Sequence, residues 1–194
     1  MARRPSQSCI HIKLFLIFML NGSVAFLRTP DISDVQFMLD IENNERYWHL
    51  SGVTSPYSKK DIEQFINESS SNLKTDCQLR LVIIDISTKK RAGLLDVFEY
   101  EPLHKRAGIG IFLLEEFRGH GLASDALRVL IQYLFKIMKL HQLWCNILTE
   151  NTESMKLFNG AGFNQTAIKK DWIFHNGKFH DEAIFQLINP NHRV

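Results

Sequence analysis

A single mixed α/β domain is the fold class that this sequence predicts, and three observations predict it. Runs with strand-type alternation lie on both sides of one long stretch, Ala126 to Met138, whose apolar residues recur at helical spacing. A chain of 194 residues with 45% hydrophobic and 23% charged residues is long enough for one domain with a real core. Its composition sets aside disorder, collagen, coiled coil and disulfide-stapled miniature folds. No internal repeat, linker or low-complexity tract interrupts it.

The elements follow in order. Ser23 to Arg28 (SVAFLR) reads as the first strand, and Thr29-Pro30-Asp31 as a turn opening a helix through Val35, Met38 and Leu39. Residues 43 to 57 are polar, aromatic and punctuated by Gly and Pro, a loop-rich stretch. Ser58 caps a second short helix through Ile62, Phe65 and Ile66, with Asp61 spaced for a capping box. Leu79–Ile86 and Arg91–Phe98, joined by Ser87 to Lys90, predict a strand hairpin, and Ala107–Leu114 a further strand. After the long helix, Leu143–Leu148 is a buried strand and Thr152–Gly160 a short helix. The runs Lys169–Phe174 and Phe179–Ile188 close the fold as a hairpin, with Asn176-Gly177 a type I′ turn signal. The sheet is therefore mixed and mostly antiparallel, with flanking helices.

The N-terminus reads in two ways. Arg3 and Arg4, the apolar run Leu14–Leu20 and the small residues Ser23-Val-Ala25 imitate a secretory signal. Alternatively, Met19 is an internal start, residues 1–18 are an extension or a mis-assigned start, and the domain runs over 19–194. His11 and Lys13 interrupt the run, which falls short of the roughly 20 apolar residues of a membrane span. No membrane partner is expected.

Charge and cysteine usage exclude other classes. The formal charge is +2, and with Arg3, Arg4 and Lys13 set aside the remainder is near neutral, so no nucleic-acid footprint shows. Cys9, Cys77 and Cys145 are too few and too scattered for a disulfide framework, which predicts a reducing, cytoplasmic setting. The eight histidines form no ligand spacing, and no metal is expected.

One segment carries chemistry: Leu113-Leu-Glu-Glu-Phe-Arg118-Gly119-His120-Gly121-Leu122-Ala123, a strand running into a glycine-containing loop that opens the long helix. Such a loop points free backbone N–H groups and the positive end of the helix dipole at one spot, which suits a phosphate or pyrophosphate. The Lys-Ser/Thr pair of a P-loop and the G-x-G-x-x-G fingerprint are both missing, so neither a nucleoside triphosphate nor a dinucleotide is implied.

Arg118-Gly-His-Gly-Leu-Ala123 resembles the R/Q-x-x-G-x-G/A signature of the GNAT superfamily of acetyl-CoA-dependent N-acetyltransferases. Downstream, Leu143 to Asn151, Ser154, Leu157-Phe158 and Gly162-Phe163 resemble the family's fifth strand and following helix, and Trp172 to Asp181 its closing hairpin. The resemblance covers residues 23–188 and is closest to the branch of spermidine/spermine and ribosomal-protein N-terminal acetyltransferases. It implies that the strands flanking the long helix splay apart and that the pantetheine of acetyl-CoA pairs with residues matching Ile111, Phe112 and Leu113. It implies further that Arg118, Gly119, His120, Gly121, Leu122, Ala123 and Ser124 hold the pyrophosphate, and that Asn151, Ser154 and Phe158 border the cofactor. A backbone N–H of the fourth strand would stabilise the oxyanion, and no covalent enzyme intermediate is required.

Phe158 occupies the position at which many relatives carry a tyrosine that protonates the leaving thiolate, and a phenyl ring cannot donate a proton. Water, Tyr133, Tyr100 and Cys145 remain as proton sources, Tyr133 equally readable as solvent-facing and Cys145 as a buried strand residue. No catalytic acid is assigned. For the acceptor, Glu42, Glu45, Glu63, Glu68, Asp96, Glu99 and Glu101 either line a cation-attracting cleft or are ordinary solvated charges. Tyr47, Trp48 and His49 sit where relatives build the acceptor site, and Asp171-Trp172 reads as hairpin packing. Tyr47, Trp48, Glu45 and Glu99 are the substrate-binding candidates. The implied function is acetyl transfer from acetyl-CoA to a primary amine, a polyamine or other small amine, with a peptide N-terminus or a non-catalytic acyl-CoA-binding module as alternatives. A homo-oligomer is compatible with all of these.

Overall fold

The computed structural model describes residues 20–48 and 55–192. His49 and the signal-like run ahead of Leu20 lie outside them. Seven strands form one sheet: β1 (Ala25–Arg28), β2 (Leu79–Asp85), β3 (Arg91–Glu101), β4 (Arg106–Leu113), β5 (Gln142–Leu148), β6 (Asn164–His175) and β7 (Lys178–Ile188), in the order β1-β2-β3-β4-β5-β7-β6. All neighbours are antiparallel except β4 and β5. The helices are α1 (Val35–Glu42), α2 (Lys59–Glu68), α3 (Leu73–Asp76), α4 (Leu122–Lys136) and α5 (Thr152–Gly160). This is the mixed, mostly antiparallel α/β domain that the alternation implied.

Alternation along each strand divides the core between two faces. Leu81, Ile83, Leu95, Ile109 and Leu143 pack with Leu127, Leu130 and Leu134 of α4. Val82 and Leu94 turn the other way, against Val35, Met38 and Ile62 of α1 and α2. Each such side chain contributes about 1.5–3 kcal/mol on burial, which is why the helix with period 3.6 and the strands with period two find each other.

Local signals set the boundaries. The Asp31 side chain accepts from Ser33 N, and Asp34 reaches back to Asp31 N, so a 3-10 turn precedes α1. Ser58 and Asp61 form the capping box at α2. Asn176 and Gly177 both have positive φ, as a type I′ hairpin requires. The long helix begins at Leu122, earlier than its apolar stripe, because Gly121 terminates the loop with a left-handed backbone. The short α3 was not expected; Asn72 caps it through Lys74 N and Leu73 plugs the core beneath it. Strand β6 is twice the length of its apolar run, because residues ahead of Lys169 pair with β7 while their side chains stay exposed.

Two buried carboxylates tie the N-terminal segment down. Asp125 of α4 accepts from Val24 N (2.8 Å) and Ala25 N (3.0 Å). Cleavage after Ala25 would therefore remove Leu20 and Ala25 from the core and strip Asp125 of both donors. Asp34 is fully buried and bridges Arg28 (2.6 and 2.8 Å) and Arg91 (2.5 Å). Burial pushes its carboxyl upward, but Arg28, the Asp31 N–H and Arg91 outweigh that and hold it below the usual range.

A depressed folded-state value stabilises at every pH above the unfolded carboxylate value of about 3.9 and is lost as pH falls through the lower, folded one. Asp34→Asn should cost about 2 kcal/mol at pH 7, a Tm loss of about 4–8 °C. Thermal unfolding at pH 7 and pH 3 checks this, since the gap between the two proteins should narrow at pH 3.

Candidate active site

The parallel contact between β4 and β5 is brief. Only Arg106, Ala107 and Gly108 pair with Gln142, Leu143 and Trp144, after which the strands diverge. β4 keeps its ladder to β3 as far as Leu113, so the edge of β4 that faces β5 presents unpaired backbone groups beyond Gly108. A cavity of about 230 Å³ opens there, walled by Ile109 to Phe112 of β4 and Cys145 to Leu148 of β5. An extended amide-bearing arm fits that edge as an added strand would.

At the end of β4, a 3-10 turn over Glu115–Phe117 leads into Arg118, whose Nε donates to Leu113 O at 3.1 Å and holds the loop against the strand. Gly119 and Gly121 have φ of 79° and 78°, and a Cβ on either would meet no protein atom. The glycine requirement is thus conformational. Gly121 caps α4 without a side-chain bond, leaving the first N–H groups of the helix open. His120 and Ser124 are exposed, Ala123 is half-buried, and Leu122 turns inward to the core. An open helix N-terminus behind two left-handed glycines fits a pyrophosphate.

Asn151, Ser154 and Phe158 of the β5–α5 segment line the same cavity. Asn151 caps α5 by accepting from Ser154 N at 3.0 Å. Phe158 is buried edge-on against Phe163. Of the other proton sources, Tyr133 is buried in the α4 core rather than solvent-facing, and burial pushes its hydroxyl upward. Tyr100 is packed in that core as well. Cys145 does border the cavity, but burial pushes its thiol upward, so it stays protonated and is a weak acid.

The acceptor candidates separate. Tyr47 lines the cavity, edge-on to Phe112, its hydroxyl 3.3 Å from Glu115. Trp48 turns away, donating from its indole to Glu42 O, and Glu45 is exposed outside the cavity. Glu63 and Glu68 pair along α2 with Lys59 and Gln64, and Glu101 pairs with Arg106. Glu99 sits at a bulge of β3 with positive φ and lines a neighbouring groove of about 400 Å³ over β5 and β7, which shares Asn146 with the cavity.

Glu42 and Asp96 do reach the cavity, joined there by Glu182 of β7. Arg80 stands between the first two, at 2.5 Å from Glu42 and 2.7 Å from Asp96. Burial pushes its guanidinium down, and Asp96 and Glu42 more than offset this and raise it. Arg80, Glu182 and Asn146 escaped the sequence reading. A lone arginine in the apolar strand Leu79-Arg-Leu-Val-Ile-Ile was the available signal; nothing comparable marked the other two.

Known proteins resemble this chain in sequence and fold. The pattern of the acetyltransferase (GNAT) domain family matches residues 25–164. "Probable N-acetyltransferase YjcK" of Bacillus subtilis (strain 168) is 25% identical over 178 residues, covering 89% of this chain and 98% of that protein. Spermidine N(1)-acetyltransferase of Vibrio cholerae serotype O1 is 26% identical over 159 residues, covering 80% and 87%. The crystal structure of spermidine N-acetyltransferase from Vibrio cholerae in complex with CoA and spermine superposes with a TM-score of 0.76 at 23% identity, covering 86% of this chain and 96% of that one. The splayed strands, the Arg118–Ser124 loop and the family match lead to one conclusion: this chain belongs to the GNAT acetyltransferase family and is an acetyl-CoA-dependent N-acetyltransferase.

Proposed function

We propose that the acceptor is a polyamine or another small primary amine. The observation that carries this reading is the convergence of Glu42, Asp96 and Glu182 on one cavity whose lining includes a single guanidinium, Arg80. Primary ammonium groups are drawn to such a surplus of carboxylate. The relatives named as spermidine acetyltransferases support the same choice.

Bound acetyl-CoA supplies the acetyl thioester. The residues of this chain do the rest: the unpaired edge of β4 orients the arm, the Arg118–Ser124 loop holds the pyrophosphate, and a β4 N–H faces the thioester oxygen. The carboxylates collect the amine, which at an ordinary value near 10 is mostly protonated at pH 7 and gives its proton to water before it attacks. Phe158 offers no proton, so water also meets the leaving thiolate. Phe158→Tyr should then raise kcat about tenfold with the KM for acetyl-CoA unchanged. An unchanged kcat in steady-state assays would mean that this proton does not limit turnover.

The groove beside Glu99 favours a second reading, a peptide N-terminus, because an open trough over β5 and β7 would take an extended chain. Thiol release from acetyl-CoA, with spermidine, spermine, a diamine and an alanine- or serine-initiated peptide as separate acceptors, decides between them. Turnover with the amines alone upholds the polyamine reading; turnover with the peptide alone replaces it; silence from all four sinks both.

A further inference from the structure

Glu182 and Lys169 are direct partners in the β6–β7 ladder. A cross-strand ion pair of this kind is ordinary on a solvated sheet. This pair is withdrawn from solvent, with side-chain exposures of 13% and 21%. It also straddles two cavities: Glu182 lines the acceptor cavity, and Lys169 lines the groove that adjoins it across Asn146.

Two further features set the pair apart. Glu182 Oε2 is buried, and the Lys169 ammonium is the partner that meets it there. That ammonium also stands over the indole of Trp172, 4.5 Å from the ring centroid. A bulge produces this placement. Between the pairs Lys169–Glu182 and Ile173–His180, the residues Lys170, Asp171 and Trp172 face Asp181 alone. Asp181 holds the bulge by accepting from Asp171 N (3.0 Å) and Lys170 Nζ (2.6 Å), and Asp171 takes a positive φ. Such a bulge re-aims a side chain, and here it leaves Trp172 beside Lys169.

A primary ammonium between a carboxylate and an aromatic face is the chemistry by which proteins bind primary ammonium ligands. We propose that Glu182 and Trp172 form the subsite for a cationic nitrogen of the acceptor, and that Lys169 occupies it as an internal competitor until the acceptor displaces it. This rests on the reading of the cavity as an amine-acceptor site. An occupied subsite weakens apparent affinity by the fraction of time it is free. Lys169 therefore sets the acceptor concentration at which the enzyme responds, without touching the acetyl donor.

The test is calorimetric titration of spermidine into the CoA-loaded protein. Lys169→Gln should bind spermidine about five- to tenfold more tightly than wild type, and Glu182→Gln about tenfold more weakly. Lys156→Gln removes an equal charge from an exposed position on α5, away from the bulge, and should change nothing, which separates displacement from bulk electrostatics. Equal tightening in Lys169→Gln and Lys156→Gln overturns the proposal, as does unchanged or weaker binding in Lys169→Gln, or no spermidine binding by any of the proteins. Turnover of wild type with the amine panel is read separately. Transfer with flat affinities sinks the subsite and keeps the enzyme reading; tightening specific to Lys169→Gln without transfer to any amine does the reverse.

Discussion

Arg80→Ala should cost about 3–5 kcal/mol of stability, because it breaks a largely buried ion-pair network in the cavity wall. Its guanidinium is three-quarters buried and bonds both Glu42 and Asp96, so its removal leaves two partly buried carboxylates facing each other. It also lies over the Phe65 ring at 5.6 Å, and that packing disappears with the charge. For a domain of this size the loss corresponds to a fall in Tm of about 10 °C. Arg80→Lys keeps the charge but not the paired Nε and Nη2 contacts to Asp96, and should lose about 1–2 kcal/mol. Thermal unfolding of the two variants measures both. Equal losses would show that the planar fork, rather than charge balance, is what the cavity wall needs.

Gly121→Val should raise the KM for acetyl-CoA about 10- to 100-fold while kcat stays within a few-fold of wild type. At φ 78° a β-branched residue is strained by about 1–3 kcal/mol. The chain relieves that strain by turning the peptide units that aim the first N–H groups of α4, and each 1.4 kcal/mol lost there is tenfold in affinity. Gly160→Ala is the matched control: its Cβ would also meet no neighbour, but it lies in α5 without a left-handed backbone, and it should leave KM unchanged. Steady-state kinetics with varied acetyl-CoA decides. Equal effects at the two glycines would remove the backbone argument for the pyrophosphate loop.

How far the sequence could be read depended on whether the information was local. The turn at Thr29-Pro30-Asp31, the capping box at Ser58, the Asn176-Gly177 turn and the stripe of α4 are each written within a few residues, and each recurs in the fold. The Arg118–Ser124 loop was legible for the same reason, since a helix N-terminus behind two glycines is a short-range feature. The acid-bearing wall of the cavity was not. Glu42, Arg80, Asp96 and Glu182 come from α1, β2, β3 and β7 and meet only through the strand order. Along the chain Glu45 and Glu99 look no different from Glu42 and Asp96, and only the sheet register separates acids that face the cavity from acids that face water. Tyr133 fell to the same limit, because one position on α4 decides between core and solvent.

The shortness of the β4–β5 ladder reaches beyond the binding of a donor. The ladder that joins the β1–β4 half of the sheet to the β5–β7–β6 half has three residue pairs among the described residues. A ligand arm lying in the gap acts as a brace, supplying rungs that the polypeptide withholds. Donor binding and release should then stiffen and loosen the sheet along that seam. Stability rises with donor occupancy by mass action, and those amide protons between Ile109 and Leu113 that point into the gap exchange slowly only while it is filled, whereas those in the β3 ladder are held throughout.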